Sequence, residues 1–252
     1  MISDYGVWGR YNDLLAGPPD PGFTTWLRQL CAPPARVLEL GIGSGRLAIP
    51  LVEAGFEVVG IDASSAMLDL LAENDTGGRI RAVNGDFSSD VSACGSGFDL
   101  VLLAYNALSM QPDTSAQRAT LANAVSAVRV GGYVVIENPT DRAILSQVNE
   151  RNQALGVQFV DENAWLYLAR YFPETRRYMA RFMGFEDGGI IERSADLTLI
   201  SADEVIAVGH EFGLEFVRVA AAWDGSPLLP SSEQYVMTLR RVPVPPSESS
   251  RR

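Results

Sequence analysis

Three glycines at alternate positions, Gly41, Gly43 and Gly45, constrain this chain more than any other feature. Before them, residues 36–40 form a short run of strand type that opens on Arg36 and is otherwise apolar but for Glu39. After them, Leu47, Ile49, Leu51 and Val52 begin a helical pattern. The stretch therefore reads as a buried strand, a glycine turn and a helix. Glycine is required where a backbone turns sharply and approaches a ligand, because a Cβ obstructs both. A helix starting just after the turn aims its free N–H groups at whatever occupies that place.

The spacing separates two kinds of ligand. A dinucleotide turn carries glycines as G-x-G-x-x-G. Gly41 and Gly43 fit that form, but its third glycine is replaced by Arg46. Residues 56–62 make a second strand ending in Asp62, 17 residues after Gly45. That distance, one helix and one strand, suits a carboxylate that accepts hydrogen bonds from vicinal ribose hydroxyls. Ser64 and Ser65 are N-cap candidates for the next helix, which has an apolar face of Met67, Leu68, Leu70 and Leu71. Residues 80–84 read as strand three, followed by Gly85, Asp86 and Phe87. An acidic residue with an aromatic neighbour there can hydrogen-bond an adenine amino group and cover its ring. Strand four (98–103) is apolar throughout its core and runs into Ala104, Tyr105 and Asn106; a helix over 114–128 and strand five (133–137) follow. The alternation predicts a doubly wound, mostly parallel Rossmann-like α/β sheet of seven strands, with its ligand beyond the carboxyl ends of the strands. Glu39, Asp62, Asp86, Tyr105 and Glu137 all fall at such ends.

Beyond Pro139 the pattern changes. Residues 141–154 read as helical, and 164–168, 177–182 and 190–200 as strands with partial alternation. They predict a small antiparallel sheet inserted as a lid over about 141–200. A helix over 201–212, stopped by Gly213, and strands at 214–220 and 235–239 complete one domain over 1–242. Residues 243–252, rich in proline and serine, read as a disordered tail. Residues 1–34 read as an N-terminal cap holding Tyr5, Trp8, Tyr11, Phe23 and Trp26. These aromatics either pack over a ligand or anchor a terminal helix on the sheet.

Charge and composition exclude several classes. A net charge of −11 argues against a nucleic-acid backbone as partner. All 20 basic residues are arginines, so no lysine mechanism is available. Two cysteines, Cys31 and Cys94, are too few for a disulfide framework or a zinc site, and no metal is expected. No secretory pattern and no apolar run of about 18 residues is present, which predicts a cytoplasmic protein without a membrane partner. A small-molecule substrate fits best, and a homodimer is left open.

The segments VLELGIGSGRLAIPL, VVGIDASSAML, RAVNGDF, FDLVLLAYNALS and VRVGGYVVIENP resemble the class I S-adenosylmethionine-dependent methyltransferase superfamily. The carboxyl-terminal LISADEVIAVGHEFGLEFVRVAAAWDGSPLLPSSEQYVMTLRR resembles a bacterial small-molecule branch that includes amino-sugar N-methyltransferases. The resemblance implies S-adenosylmethionine as cofactor and S-adenosylhomocysteine as product. It implies that Glu39 orients the amino end of the cofactor, and that Gly41 and Gly43 admit its methionine part. Asp62 would hold the ribose hydroxyls, with Ala63 and Met67 on the adenine. Asp86 and the Phe87 backbone would read the adenine edge, with the Ala104 carbonyl on its amino group. Arg46 would face the cofactor carboxylate, and Tyr11 would close over the site.

Methyl transfer from a sulfonium is an in-line displacement, so the protein mainly supplies position and electrostatics. A base is required only when the nucleophile carries a proton at neutral pH. The sole histidine, His210, falls late in a surface helix. Tyr11, Tyr105, Asn106 and Glu137 remain as candidate catalytic groups. Arg170, Arg176, Arg177 and Arg181 in the lid either receive an anionic group or form a solvated strand face. The expected activity is methylation of an N or O atom of a small molecule, plausible for specialised, natural-product metabolism such as antibiotic biosynthesis. The alternative is a methyltransferase fold that binds the cofactor for another reaction or only as a binding module. A nicotinamide dehydrogenase is disfavoured by the missing third glycine and the absence of lysine.

Overall fold

The computed structural model describes residue 13 and residues 16–160, 163–186 and 189–243. Its main sheet holds β1 (Arg36–Leu40), β2 (Glu57–Asp62), β3 (Arg81–Asn84), β4 (Phe98–Leu103), β5 (Val128–Pro139), β10 (Leu214–Ala220) and β11 (Gln234–Arg241). They lie in the order β10-β11-β5-β4-β1-β2-β3. β3, β2, β1, β4 and β5 are parallel neighbours, while β11 runs antiparallel between β5 and β10. The order reverses between β1 and β4, where Glu39 pairs with Leu102. Doubly wound sheets bind their ligands at that reversal.

Strands buried on both faces read as continuous apolar runs, which explains β1 and β4. Val37, Leu38, Leu40, Leu100, Val101, Leu102 and Leu103 are wholly buried. The helices are α1 (Phe23–Leu30), α2 (Ala48–Glu53), α3 (Ser65–Asn74), α4 (Thr114–Ala127), α5 (Asp141–Leu145) and α6 (Ala202–Glu211). Ser64 caps α3 by accepting from the Met67 amide, and Ser201 with Glu204 forms a reciprocal capping box on α6. Gly213 ends α6 in the left-handed region, at φ 85°. α1 is anchored through Trp26, whose indole N–H donates to Thr238 Oγ1 on β11 at 3.2 Å. For Phe23 and Trp26, both buried, the anchoring reading is the one that holds. Tyr5, Trp8 and residues 244–252 lie outside the described residues.

Three boundaries differ from expectation. α2 begins only at Ala48, so the residues after the last glycine form a turn before the helix. β5 starts five residues early, at Val128, and its register shifts against β4 between Phe98 and Leu100. Helix α5 ends at Leu145, and residues expected to continue it enter strand β6 (Gln153–Val160).

The lid is a four-stranded antiparallel sheet of β6, β7 (Asn163–Phe172), β8 (Arg177–Glu186) and β9 (Gly189–Thr198), in that order. Its inner face packs Ala169, Tyr178 and Ala180 on Ile144 of α5 and Leu199. The Thr198 amide donates to the Ser109 carbonyl at 2.7 Å, and Gln117 of α4 donates to the Thr198 carbonyl at 2.7 Å. These bonds join the lid to the loop that leaves β4.

Candidate active site

The glycine turn is held from β2. The amides of Gly41 and Ile42 donate to the Ile61 carbonyl at 2.8 and 3.2 Å. Gly41, Gly43 and Gly45 all have positive φ, at 85°, 54° and 85°. Such values strain any side chain, and a Cβ on Gly45 would lie 2.4 Å from Leu71 Cδ1. Ile42 turns inward over Gly60, whose missing side chain makes the room. At the end of β2, Asp62 accepts the Gly43 amide on Oδ2 and the Ser64 amide on Oδ1, each at 2.9 Å. Burial raises the Asp62 carboxyl above its ordinary range, against the pull of those backbone bonds. Each oxygen keeps a further lone pair for a ligand hydroxyl.

Glu39 lies beneath the turn and is fully buried. Its Oε2 has no hydrogen-bond partner within the described residues. Burial pushes its carboxyl up to about 8; the nearby Arg46 charge opposes this and Asp62 adds to it. A buried carboxylate with an unsatisfied oxygen calls for a cationic donor. The ammonium of an amino-acid-bearing ligand would be one.

Across the reversal, Tyr105 and Asn106 follow β4 with φ of 49° and 69°. Two consecutive non-glycine residues in this region persist only when the surroundings enforce it. Glu137 of β5 does so. Its Oε2 accepts the Tyr105 amide at 2.9 Å, its carbonyl accepts the Asn106 amide at 3.2 Å, and its Oε1 accepts the Trp223 indole N–H at 2.7 Å. The Arg46 guanidinium lies 4.9 Å from the Tyr105 ring centroid. Burial raises the Tyr105 phenol; the charges of Arg193 and Arg46 lower it, and those of Glu137 and Asp13 raise it. Arg193 belongs to β9, so the lid brings a cation toward the open end of β4.

Residues 37–132 match the family model described as a methyltransferase domain. Over that stretch the chain is similar to a methyltransferase domain. Its fold extends the likeness further: the CcbJ methyltransferase from Streptomyces caelestis aligns over 90% of this chain and 92% of its own, at 26% identity and a TM-score of 0.80. The cypemycin N-terminal methyltransferase from a Streptomyces species is 24% identical over 88% of this chain and 90% of its own. Glycine N-methyltransferase from Rattus norvegicus is 36% identical over 44% of this chain and 42% of its own. The chain spans less than half the length of the curated relatives it matches above 30% identity.

The structure brings Glu39, Gly41, Gly43, Arg46, Asp62, Tyr105, Asn106 and Glu137 to one end of the sheet. Met67 is buried beneath Gly43, whose Cβ position lies 3.0 Å from Met67 Cε. The Phe87 ring packs 3.5 Å from the Gly41 Cβ position, and its carbonyl accepts from Asn123. The Ala104 carbonyl already accepts from the Ala107 amide at 3.2 Å. Ala63 is half-buried at the start of the turn into α3. Asp86 is exposed and turned into its own loop. Partial burial pushes its carboxyl up, but bonds from Ser88 and Ser89 prevail and hold it below the ordinary range. Tyr11 lies outside the described residues. His210 is exposed on α6, away from the strand ends.

Of the lid arginines, Arg176 pairs with Asp141 and Glu204, and Arg177 and Arg181 both pair with Asp196. Arg170 stacks on Phe172. These contacts favour the structural reading for that group. Sequence reasoning missed Trp223, Ser44, Asp13 and Arg193. Ser44 donates toward both carboxylate oxygens of Asp13, at 2.8 and 2.7 Å, which ties the segment before α1 to the glycine turn. The one available signal was Trp223 itself, a tryptophan in a polar loop between two strands.

Proposed function

We propose that this chain transfers the methyl group of S-adenosylmethionine to a nitrogen or oxygen atom of a small molecule, with an amine as the preferred acceptor. The observation that carries the reading is the buried Glu39 carboxyl with an unsatisfied oxygen beneath a glycine turn, one strand away from Asp62. When bound, the cofactor supplies a methyl group already activated on a sulfonium. Glu39 takes the ammonium of its methionine part, and Gly41 and Gly43 let the backbone approach. Asp62 accepts hydrogen bonds from the ribose hydroxyls through the lone pairs its backbone partners leave. Ala63 and Met67 line the adenine side, where Asp86, the Phe87 backbone and the Ala104 carbonyl provide polar contacts. Arg46, between Glu39 and Tyr105, faces the carboxylate.

The acceptor lies between the ends of β4 and β5 and the lid. Tyr105 keeps its proton at neutral pH, so it donates a hydrogen bond rather than removing a proton. Asn106 offers a donor and an acceptor beside it. Glu137 spends both oxygens on Tyr105 and Trp223, and its part is to hold the acceptor wall in place. No base on the chain is needed for an amine that reacts as the free base. The names of the cypemycin N-terminal and glycine N-methyltransferases support nitrogen as the acceptor atom.

The test is incubation with methyl-deuterated S-adenosylmethionine and a panel of small primary and secondary amines, phenols and carboxylates. The reading expects a deuterated methyl group on at least one amine together with stoichiometric S-adenosylhomocysteine. Cofactor binding with no methylated product across the panel contradicts the small-molecule reading.

A further inference from the structure

Trp223 lies in the loop between β10 and β11, yet it is buried and its indole N–H points at Glu137. The loop's own bonds, from the Ala221 amide to the Ser226 carbonyl and from the Gly225 amide to the Ala222 carbonyl, close its turn and do not involve the indole. Helix α1 sets the direction of that ring. Phe23 and Trp26 stand edge-on to it, with centroids 4.9 and 6.1 Å away and interplanar angles of 90° and 87°. Edge-to-face contacts favour a ring orientation as well as a distance. Trp26 is itself fixed, by its bond to Thr238 and by the Arg218 guanidinium of β10, 3.5 Å from its ring centroid. The backbones meet as closely as the rings do. A Cβ on Gly22, the N-cap of α1, would lie 2.6 Å from the Trp223 carbonyl oxygen and 2.9 Å from the Asp224 amide nitrogen. Gly22 has an ordinary φ of −77°, so what it supplies is room.

We propose that Gly22 and Phe23 are positioning residues: through Trp223 and Glu137 they hold the Tyr105–Asn106 turn against which the acceptor lies. The proposal rests on the acceptor placement given above. Each link is a printed contact of the fold. The Trp223 indole donates to Glu137 Oε1, and Glu137 Oε2 accepts the Tyr105 amide. With the indole turned away, Oε1 loses its donor and the carboxylate is free to rotate. The turn then loses its support at Tyr105 and Asn106, whose φ of 49° and 69° persist only while the surroundings impose them. The glycine turn is not on this route. Gly43 is held by Asp62 at the end of β2, on the other side of the strand-order reversal. Disturbing α1 at Gly22 or Phe23 therefore acts on the acceptor wall and leaves the glycine turn as it was.

Amide hydrogen exchange of the full ligand-free chain, followed by NMR, tests this without relying on turnover. Gly22→Ala pushes against the Trp223 backbone. Exchange at Tyr105 and Asn106 should then rise by about tenfold relative to Gly43. The Trp223 indole proton, assigned with Trp223→Phe, should move upfield as its bond to Glu137 weakens. Phe23→Leu removes the ring edge and should raise the same ratio by about threefold. A merely structural role of α1 would speed all three amides alike. With an acceptor from the deuterated-methyl panel, the KM for that acceptor should rise in both variants while the Kd for S-adenosylmethionine stays within about twofold of wild type. Equal acceleration at Tyr105, Asn106 and Gly43 overturns the proposal, and so does an unchanged acceptor KM. Should Gly22→Ala fail to fold, Phe23→Leu decides by the same ratio. A wild-type chain that methylates nothing in the panel counts against the proposed function, and the exchange ratio alone then decides whether α1 holds the turn.

Discussion

Glu137 and Trp223, 86 residues apart, meet at 2.7 Å where the indole N–H donates to Oε1. The contact joins the loop after β10 to the end of β5. Through the other oxygen it reaches the Tyr105 amide at 2.9 Å. The carboxylate thus bridges two donors and fixes a backbone turn that has two residues at positive φ.

Replacing Glu137 by Gln turns one acceptor oxygen into an NH2 group facing an N–H donor. One bond is lost and a buried donor goes unsatisfied, which costs about 2–3 kcal/mol. For a chain of this size the Tm falls by about 4–10 °C. Differential scanning calorimetry checks this. Trp223→Phe removes the same bond from the other side, so the double variant should be less destabilised than the sum of the single ones. Turnover should drop through a misplaced Tyr105, with cofactor affinity nearly unchanged. A Gln variant that is as stable and as active as wild type would remove Glu137 from any role.

Glu39 gives a prediction whose sign depends on pH. Its folded-state carboxyl lies near 8 against an ordinary 4.5, so the fold prefers the protonated form. The stability this group contributes is therefore fully present below about 4.5 and is lost as pH rises through about 8. Glu39→Gln keeps the neutral shape at every pH. In the absence of cofactor it should be more stable than wild type at about pH 8.5, by about 4 kcal/mol, and within about 1 kcal/mol of it at about pH 5. If Glu39 receives the ammonium as proposed, the same variant should bind S-adenosylmethionine more weakly, because it cannot ionise. Wild-type binding near pH 7 should release close to one proton, measured by calorimetry in buffers of different ionisation enthalpy. Binding without proton release would contradict this use of Glu39.

Gly60 tests the packing under the turn. Its backbone is ordinary strand, yet a Cβ there would lie 2.1 Å from Ile42 Cδ1 and 2.5 Å from Ile42 Cβ. Gly60→Ala should cost about 1–3 kcal/mol by overpacking and should displace Ile42. Cofactor affinity should fall at least several-fold, because Ile42 lies between Gly41 and Gly43. Adding Ile42→Ala should recover part of the stability. A Gly60→Ala variant with wild-type Tm and affinity would show that the turn adapts freely.

The glycine turn and the strand ends beside it were legible because their signals are local. One helix and one strand separate the glycines from Asp62, and the strand-to-turn transitions lie within a few residues of each carboxylate. The lid strand β6 was not legible. Its Gln153-Ala154-Leu155 start also suits a helix, and only pairing with β7 decides for strand. Trp223 could not be assigned for a related reason. Its partner comes from a strand 86 residues away, and no local pattern encodes that meeting. The extended β5 shows the same tertiary override: Gly131 and Gly132 look like turn residues, but Val128 already pairs with Phe98 of β4 before the register shifts.

Titration calorimetry of the purified chain with S-adenosylmethionine, S-adenosylhomocysteine and NAD, beside an Asp62→Ala variant, bears most directly on the whole account. Asp62 joins the glycine turn to the start of α3 through its bonds to the Gly43 and Ser64 amides. The account predicts binding of the first two ligands in the micromolar range, no binding of NAD, and at least a tenfold loss in the variant. Binding of NAD alone, or of none of the three, would contradict it.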